Sequence, residues 1–282
     1  MNVRRLLVLT DFDDLSKKVL SFAKKLAEQL KVSEIVSLNI ITPSYIYTTT
    51  GDMIATESLK ANQLNNVILE KNQELAEKEA RRFSTDKIMV IPKVTFGHSV
   101  TGLNDVMEEL GAGLLVSGSR DENSFWEKLF GSDTEKIIRK IDYPAIILKK
   151  ETEVSEIRNI AVAIDVNEEN QEGLKEILDF GSDFDAHLQL LHVISDNKIS
   201  SEEAIEKLHN LAKKYELKNY EINIVNNDSL ESGLHSFIRK NNPDMIAVLS
   251  QGKSKIKKLI FGSNIEDIIE EADKPVFISR VS

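Results

Sequence analysis

Phe130-Gly131-Ser132-Asp133-Thr134-Glu135-Lys136-Ile137-Ile138 returns later in the chain as Phe261-Gly262-Ser263-Asn264-Ile265-Glu266-Asp267-Ile268-Ile269. In each copy Gly-Ser opens a helical pattern, the position where free backbone amides need a partner. Asp142 and Pro144 follow the first copy as Asp273 and Pro275 follow the second, and from Gly131 to Gly262 or Pro144 to Pro275 the separation is 131 positions. Each copy ends in a β-rich run, Ala145-Ile146-Ile147-Leu148 or Val276-Phe277-Ile278, the last strand of a repeat. A constant register over this length means duplication of a whole structural unit.

The beginnings of the two units follow the same plan. Arg5-Leu6-Leu7-Val8-Leu9-Thr10-Asp11 and Asn159-Ile160-Ala161-Val162-Ala163-Ile164-Asp165 are short apolar runs ending in an acid, which predicts a first strand in each. Leu15, Val19, Phe22, Ala23 and Leu26 then recur at helical spacing, as do Leu174, Ile177, Leu178 and Gly181. Second strands follow at Ile35 to Ile41 and at Leu188 to Ile194, so each unit opens as βαβ. Further strands are expected near Ile88 to Phe96, Leu114 to Ser117, Glu221 to Val225 and Met245 to Leu249.

The first unit is longer. Asp11 to Gly131 spans 120 positions and Asp165 to Gly262 spans 97, an excess of 23 that lies between Thr42 and about Glu70, where Ile46 to Gly51 leads into a long charged helical segment ending near Phe83; an elaborated loop or a longer helix is expected there. In the second unit Ser200 and Glu203 form a capping box before Ala204, Leu208, Leu211 and Tyr215. The fold class expected is α/β: two tandem open parallel five-stranded sheets, Rossmann-like, with helices on both faces. Domains are placed at 1–150 and 157–282, with charged, aperiodic Lys149 to Arg158 as linker. An exposed edge such as Ile146 to Leu148 invites association unless it is covered.

Composition narrows the function classes. A 282-residue chain usually divides into two cores. The net charge of −10 opposes nucleic-acid binding, which needs a basic surface. With no cysteine, disulfides, thiolate metal sites and cysteine nucleophiles are excluded. Leu6 to Leu9 is too short for a signal sequence, and no run reaches the roughly 20 apolar residues that span a bilayer. The expected location is the cytoplasm, without membrane contact.

Ligands of an open parallel sheet bind beyond the carboxyl ends of its strands. Asp11 and Asp165 close the first strands there, where a carboxylate either accepts hydrogen bonds from a ribose or base or caps the next helix. Fourth strands end at Ser117-Gly118-Ser119-Arg120-Asp121 and Leu249-Ser250-Gln251-Gly252-Lys253, and the Gly-Ser helix starts at 131 and 262 offer amides and a hydroxyl to phosphate. His98, His187, His192, His209 and His235 lack metal-ligand spacing, so they read as packing or surface residues, and Phe125 and Trp126 read as apolar cover. There is no Gly-x4-Gly-Lys-(Ser/Thr) element of a P-loop.

An acid after the first strand, a glycine element after the fourth and a Pro-led last strand together resemble the universal stress protein family, twice over nearly the whole chain. The resemblance implies the adenine nucleotide alpha hydrolase-like fold, and it implies that the two units pack as the subunits of a family dimer do, by pairing their last strands in an intramolecular pseudo-dimer, with a homodimer open as a further level. It also implies adenosine contacts from the acid and a residue near the end of the second strand, with the glycine element around the phosphates of ATP. Those positions are Asp11, Ile40, Gly118, Gly131 and Ser132 in the first unit and Asp165, Val193, Gly252, Gly262 and Ser263 in the second, where Lys253 adds charge. Each copy departs from the pattern. Asp121 replaces the second glycine and Asp133 follows Gly-Ser in the first unit, whose window from Gly118 to Gly131 holds two cations against three anions. In the second, Leu249 replaces the first glycine, while Lys253, Lys255, Lys257 and Lys258 favour an anion. The expected function is a regulator with no catalytic residue of its own, binding ATP or another adenine nucleotide in the second unit; the rival is an interaction scaffold with degenerate sites.

Overall fold

A computed structural model describes residues 3–41, 55–96, 100–119, 141–166, 172–195, 199–251 and 273–281. The helix starts at Gly131 and Gly262, the segment 42–54, the lysine-rich stretch from 252, His98, Phe125 and Trp126 lie outside these residues. In chain order the described elements are β1 (Leu6–Leu9), α1 (Asp14–Leu30), β2 (Glu34–Ile41), α2 (Ala55–Phe83), β3 (Met89–Phe96), α3 (Val100–Leu110), β4 (Leu114–Ser119) and β5 (Ala145–Lys149). The second half continues with β6 (Asn159–Ala163), α4 (Glu172–Ser182), β7 (His187–Ile194), α5 (Ser201–Lys214), β8 (Tyr220–Asn226), α6 (Leu230–Asn241), β9 (Met245–Gln251) and β10 (Val276–Val281).

All ten strands form one sheet in the order β3-β2-β1-β4-β5-β10-β9-β6-β7-β8. Within each half every pairing is parallel, and β5 meets β10 antiparallel, Ala145 opposite Ile278, Ile146 opposite Phe277 and Ile147 opposite Val276. The expected joining of the last strands is thus present, and it fuses the two five-stranded parallel halves into a continuous layer. Central strands are apolar at successive positions because helices cover both faces: Leu6, Leu7, Val8 and Leu9 are all buried. Leu6 and Val8 pack with α1 and α2, whereas Leu7 and Leu9 pack with α3; α4 and α5 continue the first face and α6 the second.

The strands of the two halves repeat with shifts of a single residue apart from one long interruption. Leu6 and Ile160 are equivalent, 154 apart, since each pairs with the start of its fourth strand, Leu114 or Met245. Ile35 and Leu188 are 153 apart, but their partners in β3 and β8, Val90 and Tyr220, are 130 apart. The extra length therefore lies between the second and third strands, where the 29-residue α2 stands against the 14-residue α5.

Two local readings are refined. Ser200 caps α5 by accepting from the Glu203 amide at 3.1 Å, while the Glu203 carboxylate pairs with Lys207 at 3.0 Å. The linker is laid along α1. Lys18 reaches the carbonyls of Lys150 and Thr152, Lys25 that of Val154 at 2.9 Å, and Gln29 exchanges two hydrogen bonds with the backbone of Ile157. These three side chains share one helix face, so an extended segment without apolar periodicity has the carbonyls of Lys150, Thr152, Val154 and Ile157 satisfied from α1.

Equivalent glycines in the two halves meet different surroundings. A Cβ on Gly233 of α6 would stand 2.5 Å from Val193 Cγ1, whereas one on Gly102 of α3 would touch nothing within 4 Å. Gly233→Ala is expected to cost about 1–3 kcal/mol by overpacking, and Gly102→Ala to cost nothing or to gain up to about 1 kcal/mol. Urea unfolding of the two variants measures the contrast.

Candidate functional site

In each half the chain leaves the central strand on one side to form the second strand and returns on the other side as the fourth, which opens a crevice at the carboxyl ends. Continuing the pairing of β1 beyond Leu9 puts Asp11 level with Ile40 of β2 and Ser119 of β4, with Gly118 one position earlier. Continuing β6 puts Asp165 level with Val193 of β7 and Ser250 of β9. The structure thus brings Asp11, Ile40 and Gly118 to one edge and Asp165 and Val193 to the equivalent edge. Gly131, Ser132, Gly252, Lys253, Gly262 and Ser263 lie outside the described residues.

Two details differ from the sequence reading. Gly118 belongs to β4 itself, paired with Leu148, because the ladder to β5 runs on through Ser119. A Cβ there would come within 2.7 Å of Leu15 Cγ, so Gly118 lets the first turn of α1 sit on the sheet. Its counterpart 131 positions on, Leu249, is buried and fills that place with its own side chain. The cap of α1 is Asp13, whose side chain accepts from the Ser16 amide at 2.8 Å, so capping does not account for Asp11.

The turn at 10–13 is held by its own polar groups. Phe12 adopts φ 63°, the left-handed region that a bulky residue rarely enters. Its amide donates to Thr10 Oγ1 at 3.0 Å and the Asp11 amide to Ser16 Oγ at 2.9 Å. Those donors are consumed within the turn, and Asp11 itself is exposed.

Behind the turn lies a buried polar network that the sequence reading missed. Thr10 Oγ1 donates to Glu79 Oε1 at 3.2 Å and Ser37 Oγ to Glu79 Oε2 at 3.0 Å, joining α2 to β1 and β2. Asn39 donates to the Thr10 carbonyl at 2.7 Å and Asn72 donates to Asn39 at 2.9 Å. Thr10, Ser37, Asn39 and Glu79 are all buried. The second half repeats one strut of this network with a different residue, His192 Nδ1–H donating to the Ile164 carbonyl at 2.9 Å. His192, read as a packing residue, is therefore also the hydrogen-bonded counterpart of Asn39. The available signal was three polar side chains, Thr10, Ser37 and Asn39, interrupting otherwise apolar strands.

No group of three or more His, Cys, Asp or Glu side chains suited to a metal ion occurs among the described residues. Comparison with known proteins now bears on the whole arrangement. The model of the Universal stress protein family matches residues 2–149 and again residues 156–280. This chain belongs to that family. The crystal structure of a universal stress protein from Archaeoglobus fulgidus DSM 4304 is similar over 99% of this chain and 96% of its own, with a TM-score of 0.65 and 19% identity. A functionally unknown protein from Pseudomonas aeruginosa PAO1 is similar over 99% of this chain and 93% of its own, with a TM-score of 0.57 and 14% identity. No curated protein sequence matches. At such identities the structural likeness establishes the fold, while family membership rests on the two matched segments. As a tandem universal stress protein, the chain has two copies of the adenine nucleotide alpha hydrolase-like unit.

Glu79 sets an electrostatic expectation. Burial pushes its carboxyl above the ordinary carboxylate range, against the opposing pull of the Thr10 and Ser37 hydrogen bonds and of Lys17. The folded chain then holds that proton more tightly than the unfolded chain. The associated stability is present at low pH and is lost as pH rises from the ordinary carboxylate range through the folded value. Glu79→Gln is accordingly expected to melt higher near neutral pH, by roughly 2–4 °C or about 1 kcal/mol, with the gap closing toward pH ~4. Thermal melts across that range measure it, and equal melting at neutral pH contradicts it.

Proposed function

We propose that this universal stress protein is a regulator without catalytic chemistry of its own, binding ATP or another adenine nucleotide at the edge formed by its second half. The observation that carries the reading is the placement of Asp165 just beyond β6, level with Val193 near the end of β7, at the switch point of the sheet. Asp165 would accept hydrogen bonds from the ribose or base, with Val193 as the apolar neighbour. Gly252, Gly262 and Ser263 would take the phosphates, with Lys253 supplying positive charge. Lys255, Lys257 and Lys258 strengthen that charge.

The first half is assigned the weaker site. Asp11, Ile40 and Gly118 stand at its edge, and Gly131 and Ser132 follow in sequence, but Asp121 and Asp133 bring negative charge to the stretch that phosphate would occupy. Domain limits of 1–150 and 157–282, a cytoplasmic location and the absence of a nucleic-acid partner complete the proposal, the last supported by the net charge of −10. No helix among the described residues is long and apolar enough to cross a membrane.

Titration calorimetry of the full chain with ATP tests the assignment. Asp165→Ala and Lys253→Ala are each expected to weaken binding at least about tenfold, the scale of one charged contact, while Asp11→Ala leaves it within about twofold. Absence of binding, with no adenine nucleotide released from the purified protein on denaturation, would favour the rival scaffold reading.

A further inference from the structure

The duplication supplies an internal comparison for the polar network. Thr10 corresponds to Ile164, 154 positions on, and Ser37 to Leu190, 153 positions on, following the strand pairings. Matching the inward stripe Ala76, Glu79, Ala80 and Phe83 of α2 to Leu208, Leu211, Ala212 and Tyr215 of α5 puts Leu211 where Glu79 stands. Ile164, Leu190 and Leu211 are buried members of one apolar cluster. The same framework therefore closes with three aliphatic side chains in one half and with a carboxyl and two hydroxyls in the other. The polar version is not a requirement of the fold, and burying it carries a cost.

What the polar version adds is sensitivity to one proton. With Glu79 ionised, its two oxygens accept the hydroxyl hydrogens of Thr10 and Ser37, and Thr10 Oγ1 keeps a lone pair for the Phe12 amide. A proton taken from solvent onto Glu79 creates an O–H that must donate, and the acceptors in reach are those same two hydroxyl oxygens. Whichever accepts must turn its own hydrogen away. At Thr10 the new bond falls on the atom that fixes the left-handed turn ahead of Asp11.

The groups facing Glu79 leave its charge weakly compensated. From α1, Lys17 attracts it but is also paired with Asp14 at 2.7 Å. β1 and β2 bring the uncharged Thr10, Ser37 and Asn39. On β3 the ionisable residue, Lys93, pairs with Glu109 of α3 on the opposite face, 3.6 Å away. On α2 itself, Glu77 pairs with Arg81 at the surface.

We propose that Glu79 is a proton-responsive latch between α2 and the turn at 10–13, a buried carboxyl switch in the first half where the second half has the aliphatic Leu211. The latch goes beyond nucleotide binding and stands without it, since its readout is the turn and not a ligand.

The test follows the Phe12 amide and the Thr10 methyl by NMR in the full chain while pH is varied. Asp11 and Asp13 titrate close by, so the decisive component is the one that Glu79→Gln removes. In the wild type, exchange of the Phe12 amide, corrected for its intrinsic rate, is expected to change roughly fivefold across that component, the scale of one hydrogen bond. Its midpoint is expected above the range of exposed carboxylates. In Glu79→Gln the component is lost while the Thr10 methyl stays in its native position. The triple variant Thr10→Ile, Ser37→Leu, Glu79→Leu carries the side chains of the second half and guards against a misfolded single variant; its Phe12 amide is expected to show no such component. A wild-type profile lacking the component, or one that survives in Glu79→Gln or in the triple variant, overturns the proposal.

Discussion

The antiparallel contact of β5 with β10 is the constraint on which the rest of this molecule depends. Three opposed residue pairs, all buried and apolar, turn two parallel half-sheets into one layer and remove the edges that β5 and β10 would otherwise expose. Phe277 stacks on Phe180 of α4 at 4.5 Å, so the seam is also tied to the helical layer. On one side of the seam the linker is fastened along α1, which holds the second half where the strand pairing puts it. Both carboxyl-end crevices inherit their positions from this arrangement.

The scaffold was legible in the sequence because its determinants are local and repeated. Apolar runs ending in Asp11 and Asp165 marked the central strands, and the constant 131-residue register marked the last strands. The location of the surplus after Thr42 followed from counting alone. The joining of the last strands followed from the family resemblance, and the apolar run Ile146 to Leu148, which would otherwise face water as an edge, agrees with it.

The site was less legible because its determinants come from elements far apart in the chain. Glu79 sits in a charged helix among residues such as Glu74, Glu77 and Lys78, and periodicity alone cannot single it out as the buried one. Its partners, Thr10 and Ser37, are 69 and 42 residues away. Likewise Asp13, not Asp11, caps α1, and the residue between the two acids, Phe12, is left-handed. No pattern rule anticipates a phenylalanine in that conformation.

A symmetric assembly of identical subunits must accept every substitution twice, once at each copy of a position. The covalent join between these halves lifts that restriction. Thr10 and Ile164, Asn39 and His192, or Gly118 and Leu249 are pairs that a homodimer would be obliged to keep identical. One gene carrying both copies can explore different chemistry at each edge while a single shared seam preserves the architecture.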